Sequence, residues 1–310
     1  QNFSIPGRVS SNIVTTQRPR QLYEPHNIFS SSFMQKTLEE EGFCIQPLNN
    51  SIMDQTNDWE SLELVVLTSH DEYWTENLRN KIDSYVKKGG NLAVFSGNTS
   101  YRIFHVNNDE HKRSKLWATV NPPEKTLGLA SRFGIIPIAE NDGICNIGAC
   151  PFCVKKCLKR EFEFYKKNNN MTLSQYNNLL GMQVLDENHP AFKDTNLKKK
   201  DFFGSKTYLI YHESDGAPFN LKLNKIDPTK KNIELRMYNV DGSNGFDSAK
   251  IAYNNPPGIK ALAGTWLTNW DSSGVQFSAT LVDFRLGKGR VINGGSVGWY
   301  KSISNGDKLT

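Results

Sequence analysis

The chain has 310 residues, 37% of them hydrophobic and 22% charged, with a formal net charge of +5. That is enough for one large α/β domain or two small ones around a real core, and the composition is that of a folded chain. No apolar run reaches the length of a membrane span or reads as a secretion signal, and the basic residues (Lys155 and Lys156, Lys198 to Lys200, Lys230 and Lys231) are scattered, which argues against nucleic-acid binding.

In chain order, the first third alternates strand and helix signals. SNIVTTQ (Ser11 to Gln17) reads as a strand closed by Pro19. SSFMQKTLEEEG reads as a helix capped by Ser31 or Ser32, with Phe33, Met34, Thr37 and Leu38 inward and Gly42 at its end. FCIQPL is expected as a short strand and LELVVLT (Leu62 to Thr68) as a buried one. Trp74, Leu78, Ile82, Tyr85 and Val86 recur at helical spacing, so a helix is predicted from Trp74 to Lys88, stopped by Gly89 and Gly90. NLAVFSG (Asn91 to Gly97) is the next buried strand. This alternation predicts a three-layer α/β fold, a mostly parallel sheet with helices on both faces.

Residues 142–180 are polar and cysteine-bearing, and read as an insertion within a single domain spanning 1–310. Strands are expected again at KTYLIYHES (Lys206 to Ser214), IELRMYNV and IKALAGTWLT. The stretch GVQFSATLVDFRLGKGRVINGGSVGW reads as a helix or strand, a turn at Gly287 to Gly289, and a last buried strand. Four N-x-S/T sequons, at Asn2, Asn49, Asn98 and Asn170, are no more than this Asn-, Ser- and Thr-rich composition yields by chance. The chain opens on Gln1 rather than Met, so an upstream segment stays open.

Chemistry is expected beyond the carboxyl ends of the strands. Three apolar runs switch abruptly to groups able to bind a metal or move a proton: LELVVLT into SHDEYW, NLAVFSG into NTSYRIFH, and KTYLIY into HESDG. The bland alternative is that such residues cap helices or lid the sheet, and Asp71 or Glu72 could cap the helix that follows. For Tyr73 and Tyr101 it is a ring buried in packing with the hydroxyl at the surface.

HDEYW, the helix ending in Gly-Gly, and NLAVFSGNTSYR resemble the C-terminal catalytic domain of the N,N-dimethylformamidase large (beta) subunit family. TTQRPR, ENHPAF, YHESDG and GRVINGGSVGW are similar to further segments of that family, in the same order. The resemblance implies a fold like class I glutamine amidotransferases and ThuA-like proteins. It also implies hydrolysis of a C–N amide bond with one iron held by two tyrosines and a glutamate, which by motif are Tyr73, Tyr101 and Glu213. The substrate would be a small amide, with an accessory subunit or a homo-oligomer left open.

Phenolate and carboxylate are hard oxygen donors suited to ferric iron. His70 and His212 are the candidates for relaying a proton to the departing amine, and for His70 a hydrogen bond that fixes the turn is the alternative. A cysteine-nucleophile amidotransferase mechanism is disfavoured, because SGNTSY carries no cysteine. The second functional reading is an inactive member serving as a binding or structural module of a larger assembly.

Cys145, Cys150, Cys153 and Cys157 cluster in CNIGACPFCVKKC. Structural zinc and two disulfides are the main readings, with iron–sulfur or redox work by CPFC as a lesser one; zinc implies an intracellular chain and disulfides a secreted one. Cys44 stands alone and is expected to be a buried thiol.

Overall fold

The computed structural model describes residues 13–15, 25–107, 110–130, 159, 162–163, 166–167, 170–207, 209–210, 214–220, 225–226, 233–238, 246–251, 254, 256–265 and 277–304. Along these run β1 (Ile13–Thr15), α1 (Pro25–Glu40), α2 (Asn50–Gln55), β2 (Leu64–His70), β3 (Tyr73–Trp74), α3 (Glu76–Lys88), β4 (Asn91–Gly97), β5 (Arg102–Asn107) and β6 (Glu110–Leu116). Then come α4 (Trp117–Val120), α5 (Glu124–Leu127), α6 (Leu173–Leu179), β7 (Met182–Val184), β8 (Phe202–Phe203), β9 (Gly216–Asn220) and β10 (Lys225–Ile226). The last are β11 (Ile233–Tyr238), β12 (Phe246–Ile251), β13 (Lys260–Gly264), β14 (Phe277–Leu286), β15 (Gly289–Asn293) and α7 (Trp299–Ser304).

The main sheet has the order β2-β4-β15-β14-β13-β7-β8. It is mixed. β2, β4 and β15 are parallel, while β14, β13, β7 and β8 continue it antiparallel. The parallel part lies where the sequence supplies a crossover helix, α3, between β2 and β4. The turn at Gly287 and Lys288 is too short for a crossover and forces β14 and β15 into a hairpin. The segment before that turn is a strand, which resolves the helix-or-strand alternative. A second sheet, β1-β6-β5-β3, carries the amino-terminal strand, and β11 pairs β12 as a separate hairpin. Among the described residues no helix is long and apolar enough to cross a membrane.

Several boundaries differ from expectation for local reasons. α1 begins at Pro25, where the missing N–H costs nothing, rather than at a Ser31 or Ser32 cap. Met34 is buried and Phe33, Thr37 and Leu38 are half-buried, as the spacing predicts. FCIQPL forms no strand: the Phe43 N–H bonds back to Leu38 O at the end of α1, and Cys44 is exposed rather than buried. α3 starts at Glu76 because Thr75 Oγ1 accepts the Leu78 N–H, so neither Asp71 nor Glu72 is its cap. It ends where expected, on Gly89 at φ 131.

KTYLIYHES is likewise no regular strand where described. Leu209 and Ile210 are buried, but their N–H groups go to Gly204 O and Leu180 O rather than to a ladder. Residues 170–180, read as the tail of an insertion, contribute α6. A Thr172–Gln175 capping box starts that helix, and Tyr176, Leu179 and Leu180 enter the core. Cys145, Cys150, Cys153 and Cys157 lie outside the described residues.

Two apolar clusters hold the sheet. One packs Trp74, Leu78, Ile82 and Val86 of β3 and α3 on Leu92, Val94 and Val291. The other packs α6, Met182, Phe203, Leu281 and Trp299. ENHPAF is pinned to the sheet at His189, with Phe192 in the second cluster. His189 Nδ1 accepts the Ala191 N–H at 3.2 Å, so Nε2 carries the proton and donates it to Asp283 Oδ2 at 3.2 Å. Arg290 Nε donates to the other carboxylate oxygen at 2.7 Å. Its Nη2 lies 3.4 Å from His189 Nε2, but with both nitrogens protonated that is proximity, not a bond.

Burial alone would raise the Asp283 pKa, but hydrogen bonds from Arg290 and His189, with the Arg290 charge, outweigh it and hold the carboxyl below its ordinary range. A depressed folded pKa gives stability that is full above the unfolded pKa and lost as pH falls through the folded one. Asp283→Asn should therefore lower stability at neutral pH by about 1–3 kcal/mol. Urea denaturation should show that gap closing only as the pH falls below about 4, the ordinary aspartate value.

Candidate functional site

The parallel register sets His70 of β2 opposite Gly97 of β4, and Asn293 of β15 opposite Val94. All three strands therefore deliver their carboxyl ends to one edge, as open α/β sheets do at functional crevices. The chain leaving β2 is laced to the chain leaving β4. Asp71 O accepts the Ser100 N–H at 2.9 Å, and Glu72 O accepts the N–H groups of Tyr101 (2.8 Å) and Arg102 (3.0 Å). β3 then pairs β5 with Tyr73 opposite Arg102. Tyr73 and Tyr101 thus stand on hydrogen-bonded neighbouring segments, both half-buried. The Tyr73 ring packs on Phe104, centroids 5.8 Å apart, and the Arg102 guanidinium carbon lies 5.6 Å from the Tyr101 ring centroid.

The third segment docks on the same turn. The Thr99 N–H donates to Asp215 Oδ2 at 3.1 Å, and the Asp215 N–H donates to Gly295 O at 2.7 Å, beyond the end of β15. Ser214 bridges Ser296. Segments around residues 71–73, 98–101 and 214–216 thereby meet at one place. Glu213 and His212, immediately before Ser214, lie outside the described residues.

The turn after β4 is strained. Asn98 and Ser100 are both left-handed, at φ 53 and 54, and neither is glycine. Side chains hold it open: the Asn98 amide donates to Glu72 Oε1 at 3.2 Å, and Ser100 Oγ accepts from Arg79 Nη1 at 3.1 Å. Glu72 Oε1 also lies 3.6 Å from His70 Nε2, within ion-pair range.

Two carboxyls here are shielded from water, Asp215 completely and Asp71 in part. Burial pushes Asp71 up to about 6, against the pull of the Asn50 amide and the Trp74 indole. Burial pushes Asp215 up to about 7; the Thr99 N–H and hydroxyl and the Asn98 N–H pull down, and the Glu72 charge adds to the rise. No hydrogen bond of good geometry reaches Asp215 Oδ1. A desolvated carboxylate with one oxygen unpaired suits a place where positive charge is to be received.

Among the described residues no three His, Cys, Asp or Glu side chains gather as a metal centre. A groove of about 850 Å³ opens elsewhere, beside Trp59, Glu63, Lys81, Tyr85 and Asn91 at the amino ends of the strands. Its Lys81 amine is taken by the Asp54 and Thr56 carbonyls. Shape alone points there; the converging strand ends and buried carboxyls point to the other edge, and the chemistry is the better guide.

Sequence reasoning placed Tyr73, Tyr101 and His70 at this edge and missed Arg79, Thr99, Ser100 and Asp215. The readable signal for Arg79 was a lone cation within the buried face of α3, four residues before Asp83. Asp215 stood within HESDG, one of the three strand ends read as bearing chemistry, but was not singled out there.

The docking of the third segment depends on Gly295, at φ +54. A Cβ there would lie 2.6 Å from Asp215 O and 2.7 Å from Leu129 Cδ1. Gly295→Ala should lower stability by about 1–3 kcal/mol in chemical denaturation, through both strain and displacement of Asp215.

No curated protein matches the chain. Residues 4–128, the stretch that carries Tyr73, Arg79 and Tyr101, match the family described as N,N-dimethylformamidase beta subunit-like, C-terminal.

Proposed function

We propose that this protein is an amide hydrolase of the N,N-dimethylformamidase type, in which Tyr73, Tyr101 and Glu213 hold a single ferric iron at the carboxyl edge of a glutamine amidotransferase-like sheet. One observation carries the reading most: the segment leaving β2 and the segment preceding β9 are both hydrogen-bonded to the turn leaving β4, and the tyrosines stand on the first segment and on that turn. The family match over residues 4–128 supports it independently.

The donor set fits such an ion. Phenolate and carboxylate oxygens are hard donors, and Asp215 offers a further carboxylate oxygen without a hydrogen bond of its own. Bound iron supplies a Lewis acid that polarises an amide carbonyl and acidifies water. The remaining tasks fall to the chain. The paired backbones of β3 and β5 fix the tyrosines against one another, and Phe104 and Arg102 restrict their rings. His70 Nε2, 3.6 Å from Glu72 Oε1, is placed to carry a proton to the leaving nitrogen, with the carboxylate to balance its charge. His212 is the alternative carrier. The substrate is a small amide, and the beta-subunit-like family description suits work in an assembly with a partner subunit.

Iron-loaded protein should be coloured by tyrosinate-to-iron charge transfer, and Tyr73→Phe should bleach most of that colour. An amide substrate should release amine only with metal bound, and Tyr73→Phe should reduce turnover at least a hundredfold, about 3 kcal/mol in barrier. A chain that folds, stays colourless when supplied with iron, and hydrolyses no amide would instead be a binding or structural module.

A further inference from the structure

Arg79 has no part in the chemistry above, yet it is among the largest fully buried side chains described. A guanidinium keeps its charge, and apolar residues of similar size often pack in such a place at no loss of stability. Burial pulls its pKa down, while Asp83 and then Glu124 draw it back up. What distinguishes the position is where its donors go. Nε donates to Asp83 Oδ1 at 3.0 Å, which orients the group from within α3. Nη1 donates to Ser100 Oγ at 3.1 Å, and Nη2 to Thr126 Oγ1 at 3.0 Å and Pro122 O at 3.3 Å. Its planar carbon lies 5.9 Å from the ring centroid of Trp74 and 5.7 Å from that of Trp117.

Three of these neighbours adjoin the two tyrosines. Trp74 follows Tyr73 in β3. Ser100 precedes Tyr101 in the left-handed conformation that aims the next residue. The Trp117 N–H donates to Tyr101 O at 3.2 Å. One rigid, five-donor group therefore touches the backbone supports of both phenols at once.

We propose that Arg79 is a positioning residue that sets the separation and aim of the Tyr73 and Tyr101 phenols, acting through Trp74, Trp117 and Ser100 without touching substrate or metal. The inference rests on the two-tyrosine reading of the site. Groups one shell out from a metal commonly change its affinity 10–100-fold when removed. A lysine keeps the charge but cannot reproduce the fork, so charge alone does not substitute.

The test compares the full chain with Arg79→Lys, Ser100→Ala and Val86→Ala, the last a buried control two turns along the same helix. Each is titrated with ferric iron against a competing chelator, with the charge-transfer band and the urea midpoint recorded. Ser100→Ala should fold, shift or weaken the band, and lose about tenfold in iron affinity. Arg79→Lys should lose more, while Val86→Ala should lose stability but keep the wild-type band and affinity. If Arg79→Lys fails to fold, Ser100→Ala decides the matter. Ser100→Ala and Arg79→Lys that bind iron as Val86→Ala does would overturn the positioning role and leave the two-tyrosine site standing. A wild-type chain with no band would remove that site, and this role with it.

Discussion

The turn from Gly97 to Tyr101 is the constraint on which the rest of the edge depends. Two of its non-glycine residues sit in the left-handed region, each at a cost of roughly 1–3 kcal/mol. Such a turn persists only where its surroundings over-determine it. They do: Asp71 O takes the Ser100 N–H, Glu72 takes the Asn98 amide, Asp215 takes the Thr99 N–H, and Arg79 holds the Ser100 hydroxyl. The partners come from three places in the chain: the exit of β2, helix α3 and the segment before β9. The strain at one turn is thus what gathers the ends of β2, β4 and the segment before β9.

The charges around it follow from the same gathering. Asp215 is held in the interior and Asp71 at its margin, both with pKa values pushed up by desolvation, while Arg79 is sunk between two indoles. Buried groups of this kind are stable only with directional partners: the turn supplies them to Asp215 and, through Ser100, in part to Arg79, while Asn50 serves Asp71 and Asp83 and Thr126 complete Arg79. Stability elsewhere is supplied more conventionally, by two apolar clusters and by the His189–Asp283–Arg290 contact.

Legibility in the sequence followed how local the determining physics was. β2, β4 and α3 could be read directly, because an apolar run, a 3.6-residue stripe and a Gly-Gly stop are local signals. The parallel pairing of β2 and β4 followed from the helix between them. FCIQPL and KTYLIYHES misled because a short apolar run is equally compatible with irregular chain, exposed in the first and buried at Leu209 and Ile210 in the second, and only tertiary hydrogen bonding decides. Capping of α3 by Thr75 rather than Asp71 turned on whether Asp71 was free, and Asn50, 21 residues earlier, had claimed it. Tyr73 and Tyr101 were visible by resemblance to a family. Arg79, Ser100 and Asp215 act through contacts between remote segments, which no local pattern announces.

The most direct measurement is anomalous diffraction at the iron edge from crystals grown with ferric iron. A single peak should lie within bonding distance, about 2 Å, of the Tyr73 and Tyr101 phenol oxygens and a Glu213 carboxylate oxygen, beside the turn that Asp215 and Arg79 support. A peak bound elsewhere, or phenol oxygens directed to separate neighbours with no ion between them, would contradict the account.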